Sequence, residues 1–138
     1  MIDTWQILAD LISALRGEST ITSLLASAQE VREINYMGDE FGFPAIRVRI
    51  DTHEPMRGTE PCDNSIAIFS IFVYTEDASS LLCQQVTAAV KSFLHRSQLA
   101  GTGYNIATIL STGISAPAPT GPQTWMQRSG YRGNVYPS

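Results

Sequence analysis

The run Ile66-Ala67-Ile68-Phe69-Ser70-Ile71-Phe72-Val73-Tyr74-Thr75 decides the fold. Ile66, Ile68, Phe72 and Tyr74 alternate with Ala67, Phe69, Ile71 and Val73, so an extended chain here is apolar on both faces. A strand of that kind belongs in the middle of a sheet. Directly after it the period changes from two to about 3.6. Between Asp77 and Ala100, Leu82, Val86, Ala89, Val90 and Phe93 recur at helical spacing. Asp77 is placed to cap this helix, Gly101 to stop it, and His95 and Arg96 to lie near its negative pole. Closing that stripe on the sheet contributes about 1.5–3 kcal/mol for each large side chain buried.

Before the central strand, Trp5, Leu8, Leu11, Ile12 and Leu15 line one face of a helix from Asp3 to Arg16, ended by Gly17. Ile21, Leu24, Leu25 and Ala28 give a second, shorter helical turn. Val31 to Met37 alternates weakly as a first strand, and Gly38, Asp39, Gly42 and Pro44 mark a turn. A clearer strand follows, with Ile46, Val48 and Ile50 facing one way and Arg47, Arg49 and Asp51 the other. Asp51 to Asn64 holds two prolines, a glycine and four acids (Asp51, Glu54, Glu60, Asp63) against one arginine. That composition reads as a long loop or extended hairpin tip, and loops longer than about 12 residues in a compact domain tend to carry function. Past the long helix, Ile106 to Ile114 alternates with Gly113 as a bulge, and Trp125 to Tyr136 forms a last strand ended by Pro137.

The expected order is α-α-β-β-β-α-β-β: an α+β domain spanning residues 1–138, with a mostly antiparallel sheet of four to five strands and helices mainly on one face. At 138 residues such a chain buries roughly two thirds of its unfolded surface and needs no metal or disulfide to hold a core. Apolar residues make up 43% and charged residues only 16%, a low charged share for a domain wetted on every side. Part of the uncharged surface is therefore expected to meet other subunits. The net charge of −4 repels nucleic acid. Lys91 is the one lysine beside eight arginines, a balance suited to fixed hydrogen-bonded pairs. Cys62 and Cys83 have neither metal spacing nor a disulfide framework. No secretion signal and no run of about 20 apolar residues is present, so folding in a cytoplasm is expected and a membrane partner is not.

No constellation for catalysis emerges. His53 beside Glu54 has only Cys62 nearby and no second histidine at ligand spacing, so no metal and no cofactor is expected. Gly101-Thr102-Gly103 follows a helix instead of a strand and reads as a cap and turn. The serines lack a nucleophile elbow and a histidine–carboxylate pair. Arg128-Ser129-Gly130-Tyr131-Arg132 interleaves cations with an aromatic as RNA-binding strands do. In a strand, however, Arg128 and Arg132 share a face with Met126 and Asn134, where acids of a neighbouring subunit would meet them.

The opening helix ending Leu15-Arg16-Gly17, the strand entry Phe43-Pro44-Ala45-Ile46-Arg47-Val48 and the strand Phe69-Ser70-Ile71-Phe72-Val73-Tyr74-Thr75 form a recognisable layout. The long helix from Ala78 and a last strand with Tyr131-Arg132-Gly133-Asn134-Val135 complete it. In element order and apolar placement it resembles the tail terminator proteins of tailed bacteriophages. The resemblance implies a structural virion protein with no catalytic motif, assembled in the bacterial host as a homohexameric ring. Such a ring caps the tail tube, stops its growth and joins it to the head connector proteins, with DNA passing through but not held. Arg47, Arg49, Arg128 and Arg132 on one side, and Asp51, Glu54, Glu60 and Asp63 on the other, would supply the opposed patches of a heterologous ring contact. Gly130 and Gly133 depart from a regular last strand. Another head–tail connector, a tail-tube subunit, or a small ligand- or RNA-binding α+β module are the competing readings.

Overall fold

The computed structural model describes residues 2–38, 42–56 and 64–137. Glu60, Cys62 and Asp63 lie outside the described residues. The elements follow in the order α1 (Thr4–Arg16), α2 (Ser19–Thr22), a 3-10 turn (Ala28–Glu30), β1 (Val31–Glu33), β2 (Ala45–Pro55), β3 (Ser65–Glu76), α3 (Leu81–Leu94), β4 (Leu99–Gly101), β5 (Tyr104–Ile114), β6 (Ala118–Gly121) and β7 (Thr124–Pro137). The class is α+β as expected. The sheet is larger than four to five strands, with seven in the order β1-β2-β3-β7-β5-β4 and β6 beside β7. All pairs are antiparallel except β1 with β2.

β3 occupies the middle, paired along its length with β2 on one side and β7 on the other. Its inner face supplies Ala67, Phe69, Ile71 and Val73 to the core, and Phe69 stacks on Tyr131 of β7 with ring centroids 5.5 Å apart. β7 is regular against β3 despite its glycines, and its irregularities fall on the β5 side, where Gly113 has φ +145°. Gly133 is required by close approach: a Cβ there would lie 2.4 Å from Ile106 Cγ2.

Both long helices sit on the inner face, but each is rotated from its expected stripe. In α1 the buried line is Ile7, Leu11 and Leu15, and Trp5 is 67% exposed. In α3 it is Cys83, Val86, Thr87, Val90 and Leu94, while Leu82, Ala89 and Phe93 are only partly buried. α3 is also shorter than the run 77–100 that was expected. At its start, the Asp77 backbone N–H donates to Gln123 O at 2.7 Å and Trp125 Nε1 donates to Asp77 O at 3.0 Å, so Asp77 belongs to the β6–β7 turn and Ser80 takes the cap position. At its end, Arg96 turns at φ 63°, its N–H donates to Ile109 O, and Ser97 O accepts from Ile109 N–H. Pairing with β5 thus takes over before Gly101, and Thr102-Gly103 becomes the turn between β4 and β5.

Polar clips fix α1 to the sheet. Tyr104 Oη donates to Asp10 at 2.6 Å, and Gln6 Nε2 donates to Thr102 O at 3.3 Å. Burial, then the hydrogen bond to Asp10 and its negative charge, push the Tyr104 phenol well above its ordinary value, so it stays a donor at all physiological pH.

The rotated stripe can be tested. Leu94→Ala, removing a side chain 1% exposed, is expected to cost about 2–5 kcal/mol in urea unfolding. Phe93→Ala, although it deletes more atoms, is expected to cost clearly less.

Candidate interaction face and clefts

The sheet face opposite the helices brings three of the charged residues singled out above into close proximity. Alternation along β2 and β7 brings Arg49 and Arg128 onto this face, and a register shift between Ile50 and Thr52 places Asp51 there as the extra residue of a bulge. Asp51 accepts from Arg49 Nε at 2.6 Å and from Ser70 Oγ at 2.5 Å, and pairs with Arg128 at 3.5 Å. Arg128 Nε also donates to Ser70 Oγ at 3.0 Å. The Arg49 guanidinium lies over the Phe72 ring, 4.9 Å from its centroid, and helps hold that ring at 8% exposure although no helix covers it. Burial pushes the Asp51 carboxyl up. The hydrogen bonds from Ser70 and Arg49 and the positive charges of Arg49 and Arg128 outweigh burial, and the net result lies below the ordinary value.

Arg47 is elsewhere in character. Alternation puts it on the outer side, where a wet or subunit-facing arginine was expected, yet it is 4% exposed. Its Nη1 donates to Glu30 O at 2.6 Å and its Nη2 pairs with Glu30 Oε1 at 3.5 Å. Glu30 Oε2 in turn accepts from Gly42 N–H at 2.9 Å. Burial, only partly offset by the Glu30 charge, pulls the Arg47 value below its ordinary one. This arginine locks the 3-10 turn and the 42–45 entry onto β2. Glu54 on β2 and Arg132 on β7 are exposed and, among the described residues, have no ionic partner.

The remaining candidates resolve into structural roles. His53 is on the helix side of the sheet, bonded through Nδ1 to Thr4 Oγ1 at 2.9 Å and through Nε2 to the buried Ser65 Oγ at 2.8 Å. It fastens α1 to β2 and β3. Cys83 is a buried free thiol. Among the described residues, no group of three or more His, Cys, Asp and Glu side chains could hold a metal ion, and no helix is long and apolar enough to cross a membrane. Sequence reasoning passed over a cleft of about 620 Å³ between α3 and the ends of β5 and β7, lined by Lys91, His95, Ile114 and Gln127 among others. Its residues are distant in sequence, and only the α3–β5–β7 packing assembles them.

No family model matches the chain, and no curated protein matches its sequence. The fold has a counterpart among solved structures. A chain in the virion of a native gene transfer agent (GTA) particle superposes at TM-score 0.79 over 95% of each chain, with 15% identity. At that identity the likeness establishes the fold.

Two predictions separate what is internal from what is offered outward. Arg47→Ala is expected to cost about 3–5 kcal/mol in chemical unfolding, because it leaves the buried Glu30 carboxylate with only the more distant Arg32, at 3.8 Å, as a cationic partner. Adding Glu30→Gln should recover part of that loss. For Asp51, folding favours the ionised form. Its contribution is therefore complete above the unfolded value and disappears as pH falls through the lower folded value. Unfolding midpoints measured from pH 6 down to pH 3 should fall less steeply in Asp51→Asn than in the natural chain.

Proposed function

We propose that this chain is a structural virion protein of the tail-terminator type: a ring-forming subunit that caps the tail tube, stops its polymerisation and joins it to the head connector proteins. The observation that carries the reading is the near full-length agreement in fold with a chain of the gene transfer agent virion, taken with the element layout resembling tail terminators. The distribution of charge supports it. Arg49, Arg128 and Arg132 share the open sheet face with Asp51 and, by register, with Glu54 and Glu76, while Glu60 and Asp63 fall in the stretch joining β2 to β3. An exposed arginine such as Arg132 and an acidic stretch elsewhere on the same molecule favour head-to-tail contact between copies, which closes into a ring when the rotation per subunit allows. The net charge of −4 suits a channel that passes DNA without holding it.

A tube subunit or another head–tail connector is the neighbouring reading within the same particle. Terminators form a single layer and tube subunits stack into many, so assembly length discriminates between them.

Negative-stain imaging of the purified full chain is the test. Single closed rings of six copies are expected; long tubes would favour the tube-subunit reading, and monomers at micromolar concentration would end the ring reading. Arg132→Glu should weaken ring association by tenfold or more in sedimentation while leaving the melting temperature of the subunit within a few degrees, because Arg132 is exposed.

A further inference from the structure

The cleft beside α3 combines features that the open sheet face lacks. Gln127 forms part of its lining and is 6% exposed. Its Nε2 donates to Ser115 O at 2.9 Å, while its Oε1 is buried with no hydrogen-bond partner among the described residues. A buried amide oxygen left in that state costs about 1–3 kcal/mol, so the site favours an occupant that brings a donor. Around it, His95 Nδ1 accepts from Ser111 N–H at 3.0 Å, which leaves Nε2 to carry the proton of the neutral ring. Lys91 adds the only ammonium side chain of the protein, and Ile114, 41% exposed, adds an apolar wall. Donors and a positive charge at the rim, one acceptor at the floor and an apolar side describe a seat for an extended, acidic peptide.

The chain itself contains such a peptide. The stretch from Thr52 to Asn64 holds three acids, Glu54, Glu60 and Asp63, against one arginine, and the β2–β3 ribbon presents it at one end of the sheet, with Pro55 paired to Ser65 and Met56 N–H donating to Asn64 O. The cleft is at the other end. Gln127 pairs with Val73, eight residues along β3 from Ser65, or about 26 Å at ~3.3 Å per residue. A hairpin cannot reach the cleft of its own chain over that distance, but it can reach that of a neighbour.

We propose that the cleft between α3, β5 and β7 receives the acidic β2–β3 hairpin of a second copy of this chain, a carboxylate of the hairpin meeting Lys91 and a hairpin backbone N–H meeting Gln127 Oε1. The contact joins two different surfaces, as a heterologous ring requires. It rests on the ring reading above and specifies which surfaces meet.

Zero-length carbodiimide coupling tests it, because Lys91 offers the chain's only side-chain amine. In rings assembled from mixed unlabelled and ¹⁵N-labelled full-length chains, mass spectrometry should find Lys91 joined by an amide bond to Glu54, Glu60 or Asp63, with light–heavy pairs present. Ala88→Trp, which fills the cleft from an exposed position on α3, should abolish that coupling and weaken association at least tenfold with the subunit's melting temperature unchanged. Rings in which Lys91 couples to none of these acids, or that form undiminished with Ala88→Trp, would overturn this inference alone. A natural chain that stays monomeric would overturn the ring reading together with it.

Discussion

Everything in this molecule depends on the unequal treatment of the two faces of β3. The strand is hydrogen-bonded on both edges, to β2 and β7, so its backbone is satisfied within the sheet and its apolar side chains must be covered from above and below. Helices α1 and α3 cover one face with Ile7, Leu11 and Leu15 and with Val86, Val90 and Leu94. Among the described residues, no helix covers the other. There the sheet shields itself with arginines whose stems and planar heads lie over apolar surface, and whose charge is held by Asp51 and Ser70. An outer face built this way is satisfied in water, yet it remains partly apolar, with Leu110 and Ile114 exposed.

The same logic explains the scarcity of lysine. The arginines are held by fixed N–H groups: Arg47 on the Glu30 carbonyl and carboxylate, Arg32 beside the same carboxylate, Arg49 and Arg128 on Asp51, and Arg16 on the Val31 carbonyl at 2.9 Å. Of the charges first read as interface residues, Arg47 is spent inside the chain, and Arg49, Asp51 and Arg128 largely balance one another. Glu54 and Arg132 remain exposed without an ionic partner among the described residues. What looks, in sequence, like one set of charges therefore divides into members held within the fold and members left exposed.

Period and apolar content were enough to read β3, β7 and α1, because each is long and its pattern survives small errors of phase. They could not fix the rotation of α1, where Trp5 is exposed and Ile7 buried, or of α3. Leu82, Ala89 and Phe93 satisfy helical spacing as well as Cys83, Val90 and Leu94 do, and the choice is made by where the sheet lies. The Cys83 thiol, donating to Val73 O at 3.6 Å, and the Thr87 hydroxyl, bonded back to Cys83 O, can be buried because α3 itself and β3 supply acceptors. The short strands β4 and β6 were invisible for a related reason: three or four residues carry too little pattern, and both exist through pairing with β5 and β7. The Arg47–Glu30 pair spans 17 residues, and alternation alone placed the arginine on a wet or subunit-facing side. The α3 cleft draws on residues from 84 to 127 and has no local signature.

Central to this account is the claim that the helix-covered face is a closed interior, while association engages the open face, the α3 cleft and the acidic hairpin. Hydroxyl-radical footprinting of the full chain, compared between dilute subunits and the assembled state, reads this side chain by side chain. Assembly should protect residues such as Met126, Leu110 and Ile114 and peptides spanning 51–64, leaving the reactivity of Trp5 and of the buried α1 and α3 stripes unchanged. Protection confined to α1, or a footprint that does not change at any concentration, would contradict the account.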